Sequence, residues 1–170
     1  ISHLSRAHTA AFAEQVNESG RLRMQSQRIA FLAAVCDDEA HAAVGTELCR
    51  AALRQAVAGY DASLTVIERV PLKLFLSADQ QLIRSSINAL RQDWSHYRRA
   101  AEAIAAGEDA DGAFRAYIEQ HAELLLDRAE ALTSLLVVSQ RHAQVWRDNA
   151  QNMLQLQGLL MLVVVAILRY

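Results

Sequence analysis

"GEDADG", Gly107 to Gly112, is the stretch whose reading decides the fold. Two glycines bracket a short polar run, the clearest turn signal in the chain. Upstream, Leu82, Ile83, Ile87, Leu90, Trp94, Tyr97 and Ile104 recur in steps of three and four, the spacing of one helix face. Downstream, the pattern predicts one unbroken helix from about Ala113 towards Tyr170, far beyond the mean helix length. The turn therefore joins a helix of ordinary reach to one that must outrun it.

Working back from the turn, two more helices precede these. Ser77 with Gln80 has the spacing of a capping box opening the third helix. The link before it, "VPLKLFL", Val70 to Leu76, is unusually apolar for a loop and is expected to pack over one end of the domain. Pro71, the single proline, stops a second helix that Thr46 can cap. That helix runs to about Arg69 on Leu48, Ala52, Leu53, Val57, Tyr60, Leu64 and Ile67. "DDEAHAAVG", Asp37 to Gly45, breaks the apolar rhythm and marks a turn after a first helix over residues 1 to about 36. No strand pattern, internal repeat or low-complexity segment competes. Four helices with short connections predict an all-α, antiparallel up-down four-helix bundle, with both chain ends at one end of it. The fourth helix overshoots its neighbours by about 20 residues, or about 30 Å.

Composition agrees with this class and excludes others. Apolar residues make up 52% of the 170, enough to fill a core, so global disorder is excluded. A net charge of -2 and the lack of a basic cluster exclude a strongly basic nucleic-acid binder. "GLLMLVVVAIL", Gly158 to Leu168, holds no polar side chain before Arg169 and Tyr170. A membrane span needs roughly 20 apolar residues, so this run is either a core segment or the opening turns of a span. Nothing polar interrupts any of its faces, which favours the span. The expected division is a ligand-binding bundle over 1–155 and the start of a transmembrane helix over 156–170. Ile1 is not a methionine and no signal peptide precedes it, so the chain is expected to be a fragment beginning where an earlier span ends. An overshooting helix with an apolar end suits a bundle standing on a membrane, as an extracytoplasmic sensor domain does.

Cys36 and Cys49 flank the first turn. With the turn centred near Ala42 and Ala43 they sit level on adjacent helices and can bridge; with the second helix starting at Asp38 they lie about 16 Å apart and remain free thiols. The six histidines do not form a metal pattern. No Glu-x-x-His pair occurs, and Asp38/His41 and Asp93/His96 are the nearest approximations. No Cys-x-x-Cys-His haem motif is present, and nothing places a base or oxyanion hole beside a nucleophile. The expectation is therefore no metal, no cofactor and no enzyme activity.

One stretch resists a purely structural reading. "NESGRLRMQSQRIA", Asn17 to Ala30, carries Arg21, Arg23 and Arg28 within an otherwise apolar helix. Steps of three and four from Phe12 give Val16, Ser19, Arg23, Ser26 and Ala30 on one stripe. An unpaired cation on a buried stripe is expensive. Ser19 and Ser26 are small enough to leave room beside it, and Gly20 clears more at a helix-propensity cost of about 1 kcal/mol relative to alanine. Either Arg23 meets a carboxylate from another helix, or two copies pack on a twofold axis and both guanidinium groups share a small planar anion. Arg21 follows Glu18 by three residues and can pair with it at the surface, while Arg28 is offset and is expected to brace a neighbouring helix.

The same residues carry a resemblance. "NESGRLRMQSQRI" resembles the P-box of nitrate and nitrite sensor kinases of the NarX/NarQ type through Asn17, Gly20, Leu22, Arg23, Met24, Gln25, Ser26 and Arg28. It is also similar to the PilJ-type sensor domain of type IV pili methyl-accepting chemotaxis transducers, with which Arg21 and Gln27 agree. The resemblance implies that the arginine matching Arg23 comes from each subunit and holds one anion at a dimer interface, with Gly20 beside the pocket. Taken together, the expected site is Arg23, Gly20, Ser19, Ser26 and Asn17 in a periplasmic homodimer of a bacterial inner-membrane receptor. Its expected ligand is nitrate, then nitrite. The alternative is a structural or protein-sensing bundle with no small anion. The output, whether chemoreceptor, histidine kinase or diguanylate cyclase, is left open.

Overall fold

The computed structural model describes residues 2–36 and 46–169, with side chains from Phe12 onward. Four helices follow one another: α1 (Ser2–Cys36), α2 (Thr46–Glu68), α3 (Ser77–Ala106) and α4 (Ala113–Arg169), with a 3-10 turn at Leu72–Leu74. No strand occurs among the described residues. Helix α1 packs on α2 and α4, and α3 completes the ring between them. The expected turn at Asp37–Gly45 lies outside the described residues, and Asp38/His41 with it.

The turn that opened the reading closes as its residues dictate. Gly107 ends α3 in the left-handed conformation, φ 77°, which a side chain would strain. Its N–H donates to the Ile104 carbonyl, and the Glu108 N–H reaches back to Ala103 at 2.9 Å. Asp109 is buried and caps α4: its carboxylate accepts the Phe114 N–H at 2.8 Å and the Arg115 N–H at 2.9 Å. A carboxylate on those otherwise orphaned amides also suits the positive end of the helix. At the start of α3 the expected capping box does not form. Leu76 holds the cap position without a side-chain bond, and Gln80 donates instead to the Phe75 carbonyl.

The core runs through the bundle as one apolar cluster, which joins Leu22 and Ile29 of α1 with Leu53, Leu64, Ile83, Leu90, Leu125 and Leu132 of the other helices. Its middle is aromatic. Tyr60 stacks on Trp94 with ring centroids 3.9 Å apart, and Tyr97 lies 6.2 Å from Trp94. The indole N–H of Trp94 donates to Asp61 at 2.7 Å, so its polar atom is satisfied at the core's rim. A disulfide joins Cys36 to Cys49, with Cα atoms 5.4 Å apart, and ties the end of α1 to the start of α2. Of the two alternatives for these cysteines, the bridge is the one formed.

Helix α4 passes residue 155 without a break, so the expected 1–155/156–170 boundary falls inside one helix. Its last fully buried residue is Ala143, and from Gln151 to Arg169 every residue is exposed. This helix is long and apolar enough to cross a membrane, through an 18-residue window of mean hydropathy 1.7 with none of it buried. The apolar stretch is thus longer than the Gly158–Leu168 run alone.

Two outcomes follow for stability. Removing the disulfide with paired Cys36→Ser and Cys49→Ser substitutions is expected to lower unfolding free energy by about 3 kcal/mol, read by urea denaturation, since it closes a loop of 13 residues. Burial raises the Tyr60 phenol above its ordinary value, with Tyr97 and Asp93 adding to the effect, and burial alone raises Tyr97. A raised folded value means the unfolded chain releases these protons first, near the ordinary tyrosine value of about 10. Stability is therefore complete below about pH 10 and declines above it, by up to about 1.4 kcal/mol per pH unit for each phenol, in denaturation series at rising alkaline pH.

Candidate functional site

Helix α1 divides its surface by residue size and charge. Gln15, Glu18, Ser19, Leu22, Ser26, Ile29 and Ala33 face inward and are buried. Both serines spend their hydroxyls on their own helix: Ser19 donates to the Val16 carbonyl and Ser26 to the Arg23 carbonyl, each at 2.8 Å. Ser19 and Ser26 are thus buried, as their stripe predicts, with their hydroxyls already paired. They are satisfied core residues that let α1 sit close to its neighbours.

Arg23 is not on the buried stripe. Its side chain is 47% exposed, and Nη1 lies 3.8 Å from Oε1 of Glu130 on α4, itself 54% exposed. The reason is rotational: at about 100° per residue, Arg23 is turned by about 40° from Ser19 and about 60° from Ser26. That rotation carries the side chain from the core to the α1–α4 edge. The cation is therefore solvated, and the contact with Glu130 is long and not exclusive.

The remaining motif residues separate in the same way. Asn17 and Gly20 are exposed on the outer face of α1, and a Cβ added at Gly20 would meet nothing within 4 Å. Met24 at 57% and Phe31 at 65% exposure share that face. Arg21 donates to Glu18 at 2.7 Å, the pair expected from their spacing, although Glu18 is buried rather than at the surface, and Arg28 stands exposed on the same helix. Gln25 turns the other way, towards α2, where its amide nitrogen lies 2.9 Å from the position a Gly59 Cβ would take. Gly59 is thus needed for the Gln25 side chain to rest as it does between α1 and α2.

Sequence reasoning missed two features. Glu130 carries no local signal that it faces Arg23, because the pairing depends on the register of α4 against α1. A cleft of about 320 Å³ between α2 and α3 also went unseen, with Arg54, Asp61 and Glu102 at its rim over Val57 and Ala105. The alanines lining both helices were its only trace. Its charges already have partners: Arg54 donates to the Ala105 carbonyl and to Glu47, while Arg98 contacts both Asp61 and Glu102. Of the histidine pairs considered for metal, Asp93 accepts from Arg128 at 3.0 Å.

The class these features define is a four-helix bundle whose last helix runs on as an exposed apolar rod of membrane-spanning length. Residues 8–120 match the family model described as type IV pili methyl-accepting chemotaxis transducer N-terminal, or PilJ, and the chain belongs to that family. The match spans α1, α2, α3 and the first turns of α4, and includes the whole Asn17–Ala30 stretch. No curated protein and no solved structure matches the chain.

The Arg23–Glu130 contact is expected to be weak. A double-mutant cycle with Arg23→Ala and Glu130→Ala, read by chemical denaturation, should give a coupling energy below about 1 kcal/mol, as exposed pairs do. A larger coupling would mark Arg23 as a strut of the bundle.

Proposed function

We propose that this chain is the periplasmic ligand-binding domain of a bacterial inner-membrane chemotaxis receptor. In this reading it works as a homodimer that holds one small planar anion between two copies, nitrate first and nitrite second. Arg23 of each copy is the principal contact, Gly20 gives the second helix room, and Asn17 borders the same face. Ser19 and Ser26, small and buried on either side of Arg23, let α1 lie close to its own bundle beneath that contact. Binding is non-enzymatic and moves α1 relative to α4, which carries the displacement to the membrane. The disulfide supports an oxidising compartment.

Gly20 is the observation that carries the reading. A glycine in mid-helix is unfavourable by about 1 kcal/mol against alanine, and nothing in its own chain occupies the space it leaves. Such a position is accounted for by a partner that comes close, and Met24 and Phe31 give that partner apolar surface on the same face. Arg23 stands at the edge, free to turn towards an anion because its hold on Glu130 is loose. Two guanidinium groups brought together need a counter-ion, and a flat oxyanion can accept from both forks.

The contact with Glu130 favours a second reading, in which Arg23 stays within its own chain and the bundle senses a protein or serves as a dimerisation module. Calorimetry separates the two. Nitrate titrated into the wild type should give saturable heat that Arg23→Ala abolishes. Gly20→Ala should raise the stability of the unliganded chain by about 1 kcal/mol and yet weaken nitrate binding. Equal nitrate binding by wild type and Arg23→Ala overturns the anion site, and a wild type that no simple anion stabilises in a thermal-shift screen leaves the second reading standing.

A further inference from the structure

The cleft between α2 and α3 has the size and the wall of a small-molecule site. Its volume of about 320 Å³ falls at the lower end of ligand-holding clefts, roughly 300–1,000 Å³. Small side chains keep it open: Ala58 on α2 and Ala105 on α3 end at Cβ, and with Val57 they form an apolar wall. Two contacts across the seam fix its ends. Arg54 donates to the Ala105 carbonyl at 3.1 Å, and Asp61 lies 3.2 Å from Arg98. From Arg54 to Asp61 along α2 is about 10 Å at 1.5 Å per residue. Glu102 stands on α3 between Arg98 and Ala105, over the middle of this length.

The charges say which guest suits the cleft. Asp61 and Glu102 are carboxylates from opposite helices, and one cation joins them. Arg98 reaches Oδ2 of Asp61 with Nη1, and its Nε donates to Oε1 of Glu102 at 2.7 Å. The other oxygen of Asp61 accepts the Trp94 indole N–H at 2.7 Å, which holds that carboxylate in place. The Arg98 side chain is 45% exposed and does not line the cleft. Ion pairs solvated to this degree contribute little, so a second cation can take the place of Arg98 at small cost. A cation carrying an apolar body gains what Arg98 does not, burial against Val57, Ala58 and Ala105. An anion gains nothing comparable: Arg54 is already engaged by Ala105 and Glu47, and two carboxylates repel it.

We propose that this cleft binds a small organic ammonium ion, a primary amine on a short aliphatic body. The ammonium replaces the Arg98 guanidinium between Oδ2 of Asp61 and Oε1 of Glu102, and the carbon chain lies along the wall towards Arg54. A guest held by one carboxylate from each helix ties α2 to α3. This site shares no residue with the anion reading of Arg23 on α1, so each stands or falls alone.

Calorimetry on the whole chain in detergent micelles tests the site, with pentylamine as the probe and pentanoate, an anion on a chain of the same length, as the control. Pentylamine should give saturable heat and pentanoate none. Glu102→Gln should weaken pentylamine binding about tenfold, the effect of losing one charge-assisted hydrogen bond. Arg98→Gln should tighten it several-fold, because it removes the resident cation and leaves both carboxylates. Both side chains are about half exposed, so the substitutions leave the fold intact. A merely structural ion pair predicts no such change of opposite sign. Absence of saturable pentylamine heat in the wild type, equal affinity in all three chains, or equal binding of pentanoate each overturns the proposal.

Discussion

The structure depends on one continuous helix. Helix α4 is capped at one end by the buried Asp109 carboxylate, forms a wall of the bundle as far as Ala143, and continues exposed to Arg169. No proline or positive-φ residue interrupts it. A helix hydrogen-bonded throughout is stiff along its axis, so a shift applied to its bundle half is delivered to its apolar half. The contact between α1 and α4 therefore lies directly upstream of the membrane-length rod.

Helix α1 is suited to meet α4 on one side and something else on the other. Its inner face uses small residues, Ser19, Ser26 and Ala33, with both serine hydroxyls turned onto its own backbone, so the helix lies close with those hydroxyls paired. Its outer face combines Gly20 with exposed Met24 and Phe31, and Arg23 stands at the border between the two. A core that used an arginine as structure would enclose it among several acceptors; here one half-exposed carboxylate lies near it at 3.8 Å. The PilJ family model covers most of this helix, including both faces.

The two ends of the bundle differ in chemistry. One is rigidly closed, by the Cys36–Cys49 disulfide and by the left-handed Gly107 with its reverse hydrogen bonds. The other offers the half-covered apolar link with Arg69 and Lys73, and α4 leaves beside it. Between them the Tyr60–Trp94 stack, anchored by Asp61, fixes α2 against α3.

The number of helices, their boundaries and the overshoot of α4 were legible in the sequence, because they depend on local chemistry: Gly107 and Gly112 permit a turn, Pro71 ends a helix, and apolar residues at three- and four-residue steps mark a buried face. The Arg21–Glu18 pair was legible for the same reason, since three residues on a helix fix a distance. The burial of Ser19 and Ser26 was legible too, but the facing of Arg23 was not. A stripe counted in threes and fours is wide enough to span core and edge, and which part of it is covered depends on where α2 and α4 lie. Likewise the choice between disulfide and free thiols at Cys36 and Cys49, the neighbour of Arg23 and the place of Gln25 against Gly59 were decided by the register between helices. Sequence spacing sets geometry along one helix; only packing sets the rotation and height of one helix against another.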